Sequence, residues 1–236
     1  MFMIRLSLKR GYAMGINKYI EHTLLKQDAV KSEFEQLYKE AVENEFFGVC
    51  VNPAYVKDAH NYLKDTDIKV VTVIGFPLGA NTTEAKVFEA KKALEDGADE
   101  LDMVINVSKL KDKDYSYVVN DIKSVKAVSP DNNLKVILET DLLTKEEIKK
   151  ACELCIEAKA DLVKTSTGFV KGGIGAKEED VKLMSDTVKP YGLKVKASGG
   201  IRSYEKASAL IKAGADRLGA SAGIAIISEE KQRNEV

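Results

Sequence analysis

The sequence predicts an α/β protein built as a single (β/α)8 TIM barrel, and three observations lead there. Short apolar segments recur along the 236 residues, each followed by a charged segment of helical period. The apolar segments read as near-continuous runs, clearest in Val70-Val71-Thr72-Val73-Ile74, which suits parallel strands covered by helices. Eight such units in about 220 residues match a closed barrel in count and size. A doubly wound open sheet is the competitor, with a glycine-rich fingerprint in its first βα turn. The first turn here, His22-Thr23-Leu24-Leu25-Lys26, has no glycine.

In chain order, strands are expected at 19–23, 48–51, 69–75, 100–106, 135–139, 162–165, 194–197 and 217–219, where the apolar runs fall. Helices are expected at 28–44, 55–63, 83–96, 115–128, 145–158, 178–188, 203–213 and onward from Gly223. Each helix carries a Lys/Glu face outward and an Ala/Leu/Val face inward, as in the stretch from Glu84 to Leu94. Glycine closes helices before the next strand: Asp96-Gly97-Ala98-Asp99 and Ala213-Gly214-Ala215-Asp216 are near-repeats of one turn. Residues 1–13 read as a disordered extension, because Arg5, Lys9 and Arg10 interrupt an apolar stretch too short for a signal peptide. Residues 14–236 then form one domain.

Composition narrows the function. Basic and acidic residues number 36 and 37, for a net charge of −1, so no nucleic-acid partner is expected. No run approaches the roughly 18 apolar residues of a membrane span. Three cysteines without a secretory signal point to a reducing, cytoplasmic location. Cys152 and Cys155 form a C-x-x-C inside a helical pattern, where they read as small core residues of one face rather than a redox pair. The two histidines are far apart in sequence, and no cluster has ligand spacing, so neither metal nor cofactor is expected. His60 reads as solvent-facing; His22 is left open between a core and a catalytic place.

In a barrel, residues at the C-terminal ends of strands face the active site. Those positions hold Glu21, His22 and Thr23, then Cys50 and Asn52, Asp102 and Asn106, Glu139 and Thr140, Lys164 and Thr165, and Lys196 and Ser198. A lysine on an apolar strand is costly to bury as a cation. Lys164 is therefore either a surface residue on an edge strand or a group with a reaction to perform. The convergence of Lys164, Lys196 and Asp102 favours the reaction. Neighbouring ammonium groups disfavour each other's charge, and a depression of about three units would make a large fraction of Lys164 nucleophilic. The alternative is that each lysine pairs with a carboxylate such as Asp102 and stays ordinary.

Two loops suggest the substrate. Ser198-Gly199-Gly200-Ile201-Arg202 and Gly219-Ala220-Ser221-Ala222-Gly223 each lead into a helix, where glycine lets backbone N–H groups approach an anion. Barrels bind phosphate after their seventh and eighth strands. A third glycine cluster, 171–176, lacks nucleotide-loop spacing and reads as a lid or turn.

These residues resemble the deoxyribose-phosphate aldolase family, class I aldolases of the barrel type. The resemblance lies in Tyr19-Ile20-Glu21-His22-Thr23-Leu24-Leu25, Val49-Cys50-Val51-Asn52-Pro53, Val73-Ile74-Gly75-Phe76-Pro77-Leu78-Gly79, Glu100-Leu101-Asp102-Met103-Val104-Ile105-Asn106, and residues 163–169 and 195–202. It implies that Lys164 forms a Schiff base, that Lys196 tunes it, and that Asp102 is the acid of a proton relay. It further implies that Thr23, Cys50, Thr167, Gly168, Gly199, Gly200, Arg202, Gly219 and Ser221 meet a sugar phosphate. The implied reaction is reversible cleavage of 2-deoxy-D-ribose 5-phosphate to acetaldehyde and D-glyceraldehyde 3-phosphate, in a homo-oligomer, dimer or tetramer. Glu21 stands where the family usually has Asp, Ala220 and Ala222 flank Ser221 where hydroxyls are common, and the tail from Ser228 has no tyrosine. A transaldolase-like barrel and a non-catalytic sugar-phosphate binder are the rivals; simple binding needs no paired lysines.

Overall fold

Eight parallel strands close on themselves in chain order, so the sheet has no open edge. They are β1 (Ile20–Leu24), β2 (Gly48–Val51), β3 (Lys69–Ile74), β4 (Glu100–Val104), β5 (Asn133–Ile137), β6 (Leu162–Lys164), β7 (Lys194–Ser198) and β8 (Arg217–Ala220). The computed structural model describes residues 15–234. The extension expected at 1–13 lies outside the described residues. Covering the barrel are α1 (Lys31–Glu43), α2 (Val56–Leu63), α3 (Thr83–Glu95), α4 (Val107–Lys111), α5 (Tyr115–Ala127), α6 (Lys145–Glu157), α7 (Glu178–Val188), α8 (Tyr204–Lys212) and α9 (Gly223–Asn234).

Strand alternation divides the buried residues into two sets. Outward-facing Ile20, Val49, Val51, Leu101, Val136 and Val195 pack under the helices in the main core. Inside the barrel, Leu25, Cys50, Val71 and Val73 form a small apolar cluster with Phe76 against them, and Val104, Ile137 and Leu162 are buried on the same inward face. Charged side chains fill much of the remaining interior: Glu21, Asp102, Lys135 and Lys196 are all fully buried. Most barrels of this type fill that space with branched apolar side chains.

Several element ends differ from expectation for local reasons. The fourth strand stops at Val104, because Asn106 leaves the ladder to accept a hydrogen bond from Lys109 N at 3.1 Å. That cap starts the five-residue α4, too short to leave a periodic signal. The fifth strand runs Asn133–Ile137, and Glu139 turns out of it with a left-handed φ of 61°. Ser203 sits just before α8 as its cap, accepting from Lys206 N at 3.3 Å.

One helix face is inverted. Lys86 was expected on the outer face of α3, yet it is fully buried while Phe88 is 72% exposed. Lys86 Nζ donates to Asp121 Oδ2 at 2.6 Å and to the Val104 carbonyl at 3.0 Å, tying α3 to β4 and α5. Room for its stem comes from Gly75, where a Cβ would meet Lys86 Cε at 2.9 Å.

Candidate active site

Strand register puts the expected chemistry in one layer. Lys164 on β6 is the direct neighbour of Lys196 on β7, and Asp102 on β4 is the neighbour of Lys135 on β5. Hydrogen bonds lock β6 to β7 just above: Thr165 Oγ1 donates to the Ser198 carbonyl and accepts from Ser198 N, both at 3.0 Å. Ser198 Oγ also donates to the Ser166 carbonyl at 2.6 Å.

Asp102 is the hub. Its Oδ2 lies 2.7 Å from Lys164 Nζ and 2.7 Å from Lys196 Nζ, while Oδ1 lies 2.9 Å from Lys135 Nζ. Glu21 reaches across from β1 to Lys196 through Oε2 and faces Lys135 at 3.5 Å through Oε1. Below, Lys135 also pairs with Glu100 Oε2 at 2.6 Å. Three cations and three carboxylates thus form one buried array. The pairing of both lysines with Asp102, the alternative to a lysine depressed by its neighbour alone, is therefore present in the resting geometry.

Electrostatics assign charges within the array. Burial would raise the Asp102 carboxyl, but three ammonium groups outweigh it and hold it well below the usual carboxylate range. Burial likewise opposes the Lys196 ammonium, yet Asp102 and Glu21 more than offset it and hold Lys196 above the ordinary lysine value. Asp102 is accordingly ionised and Lys196 carries its proton in the resting array. Lys164 is 3% exposed, and its amine opens onto a cavity of about 220 Å³ at the C-terminal end of the barrel.

That cavity gathers most of the expected binding residues. Thr23, Thr167, Gly168, Gly199, Gly200, Arg202, Gly219 and Ser221 line it together with Lys164. Gly200 has a φ of 70°, and a Cβ there would meet the Ile174 carbonyl oxygen at 2.5 Å, so only glycine fits that turn without strain. Gly219 serves a different end: a side chain at that position would meet Lys196 Cε at 3.0 Å. A larger hollow of about 700 Å³ lies on the outer surface among mixed charges such as Glu178, Lys182 and Arg233, away from this chemistry.

Cys50 is the expected site residue that stands apart. It is fully buried and does not line the cavity; it packs with Leu25, Val71 and Val73, and burial raises the pKa of its thiol. His22 faces out of the barrel: its Nε2 lies 2.7 Å from Glu40 Oε2 and its ring is 5.1 Å from that of Phe46, which makes it a core residue. His60 is exposed on α2, and Cys152 and Cys155 are both buried on α6. Glu139 is 4% exposed and accepts from Thr167 N at 3.0 Å, so it holds the turn that follows Lys164. Burial raises its carboxyl despite that bond.

Two members of the array escaped the strand-end reading. Glu100 opens its strand and Lys135 lies at the middle of its own, away from the strand ends where active-site residues are sought. The signal for Lys135 was nonetheless present: a lysine inside Leu134-Lys135-Val136-Ile137-Leu138 raises the same burial question as Lys164.

Comparison with known proteins identifies the family. Residues 16–229 match the DeoC/LacD family of aldolases. The chain is 58% identical over 214 residues to the deoxyribose-phosphate aldolase of Lactococcus lactis subsp. cremoris, spanning 91% of this chain and 96% of that one. It is 59% identical over 210 residues to that of Clostridium perfringens, spanning 89% and 92%. Among solved structures it is similar to the tetrameric deoxyribose phosphate aldolase of Aeropyrum pernix, with 33% identity, a TM-score of 0.85 and 92% of each chain covered.

Proposed function

We propose that this chain, which belongs to the DeoC/LacD family of aldolases, catalyses the reversible cleavage of 2-deoxy-D-ribose 5-phosphate to acetaldehyde and D-glyceraldehyde 3-phosphate through an imine on Lys164. The observation that carries the proposal is the sharing of one Asp102 oxygen by Lys164 and Lys196, 2.7 Å from each, at the floor of a cavity rimmed by the two glycine loops.

Lys164 attacks the C1 aldehyde of the open-chain sugar as the free amine, and water leaves. The protonated imine draws the electron pair of the breaking C2–C3 bond. The C3 hydroxyl gives up its proton to a water beside Lys196 and Asp102 and becomes the aldehyde of D-glyceraldehyde 3-phosphate. The enamine left on Lys164 takes a proton at carbon through a water held by the Lys196–Asp102 pair, and hydrolysis releases acetaldehyde. In this scheme Lys196 supplies the proton, and Asp102, kept ionised, fixes both amines. Backbone N–H groups of Gly199 and Gly200, with Ser221, hold the phosphate so that C1 stays beside Lys164.

A homo-oligomer, dimer or tetramer, is the assembly we infer, on the strength of the tetrameric Aeropyrum pernix relative. A cytoplasmic location is supported by three buried cysteines, all free thiols. No helix among the described residues is long and apolar enough to cross a membrane. The test is aldehyde release from 2-deoxyribose 5-phosphate with a chelator present. The parent should turn over and Lys164→Ala should not; retained turnover in Lys164→Ala would move the imine to another amine.

A further inference from the structure

The ion array extends below Asp102, away from the cavity, where the reaction has no use for it. Lys135 Nζ is fully buried between Asp102 Oδ1 at 2.9 Å, Glu100 Oε2 at 2.6 Å and Glu21 Oε1 at 3.5 Å. Glu21 closes a ring by touching Lys196 with its other oxygen. Glu100 is 6% exposed, accepts from Asn133 Nδ2 at 2.6 Å, and lines a hollow of about 480 Å³ at the opposite end of the barrel. Neither Lys135 nor Glu100 lines the cavity that holds Lys164.

We propose that Lys135 and Glu100 are positioning residues that set the pH at which Lys164 becomes nucleophilic. The inference rests on Lys164 being the imine-forming amine. Charge balance carries it. Every carboxylate facing Lys164 favours its ammonium form, and every other cation favours the free amine. Asp102 from β4, Cys50 from β2 and Glu139 from the turn after β5 act on it directly, Lys196 from β7 is its register neighbour, and Glu21 from β1 and Lys135 from β5 act through Asp102 and Lys196. The charges on β3 and β8 are turned elsewhere, Lys69 toward Asp99 and Arg217 onto the Phe47 ring. Asp102 is the carboxylate in direct contact with Lys164, at 2.7 Å. Lys135 spends the other half of that same carboxylate, and Glu100 in turn limits how much charge Lys135 delivers.

Lys135→Met leaves three carboxylates facing two cations, so Lys164 keeps its proton to higher pH. Glu100→Gln leaves the opposite excess and keeps an acceptor for Asn133. A unit charge acting across roughly 7 Å at an effective dielectric of about 20 shifts a titration by about one to two units. The acidic limb of the pH profile of kcat/KM, which reports the free enzyme, reads that shift. It should move up by about one to two units in Lys135→Met and down by a smaller amount in Glu100→Gln. In the double variant Lys135→Met/Glu100→Gln it should return close to the parent. Limbs that coincide with the parent's in both single variants, or that move in the same direction, overturn the proposal. Where Lys135→Met does not fold, the sign of the Glu100→Gln shift decides alone. Cyanoborohydride trapping of acetaldehyde on the parent separates the two readings. Absence of an adduct on Lys164 removes the underlying assignment, whereas a clean adduct with unmoved limbs removes this inference only.

Discussion

Replacing Asp102 with asparagine should separate imine formation from the proton transfer that follows it. The change keeps the shape of the side chain and deletes one negative charge where three ammonium groups meet, at 2.7, 2.7 and 2.9 Å. Three buried cations then face two carboxylates. Removing one partner of a buried ion pair costs roughly 3–5 kcal/mol, so the urea midpoint should fall accordingly. Losing an organised proton transfer should slow aldehyde release by about 10²–10⁴-fold. The surplus of positive charge should meanwhile favour the free amine, so acetaldehyde is trapped on Lys164 at lower pH than in the parent. Urea unfolding, aldehyde release and reductive trapping read these three effects independently. Near-parental turnover in Asp102→Asn would remove Asp102 from the relay. A variant whose trapping needs higher pH than the parent's would refute the electrostatic reasoning.

Asp121→Ala leaves the Lys86 ammonium buried with only the Val104 carbonyl for company, and should cost about 3–5 kcal/mol in urea unfolding. Lys86→Met combined with Asp121→Leu should recover most of that loss; failure to do so would mean the pair is not what holds α3. Gly200→Ala forces a side chain into a turn with φ of 70° and should strain it by about 1–2 kcal/mol. The KM for the sugar phosphate should rise up to roughly tenfold while acetaldehyde trapping is unchanged, and an unaltered KM would take that loop out of the phosphate site. Stability should be flat across neutral pH and fall on both sides. Asp102 and Glu100 are depressed carboxyls, so their contribution is complete above the unfolded values of about 4 and lost as pH drops through the folded ones. Lys135 and Lys196 are raised, so theirs is complete below about 10.4 and lost as pH climbs beyond it. A urea midpoint that rises on acidification below pH 4 would contradict the charge assignment.

The barrel was legible because its apolar runs are set by the covering helices, and each run reports its own burial. Helix faces were less legible where a charge is satisfied inside. Lys86 and Phe88 exchange the places their chemistry suggests, since Asp121, distant in sequence, supplies the partner that makes burial tolerable. At the site, Lys164, Lys196 and Asp102 could be read from strand ends, but their arrangement around one carboxylate could not. That arrangement depends on register across β4 to β7, and register is invisible in any single strand. Cys50 illustrates the same limit: it lies near the end of its strand, yet it packs among Leu25, Val71 and Val73 and does not line the cavity. Lys135 shows the converse, because attention to strand ends passed over a buried lysine lower in the barrel.

The most direct measurement is reductive trapping with acetaldehyde followed by peptide mapping of the modified chain. A single ethyl group on Lys164, absent from Lys164→Ala and from protein treated without aldehyde, is the outcome expected. An adduct on Lys196 instead, or none on a preparation that still cleaves the sugar phosphate, would contradict the assignment of the reactive amine.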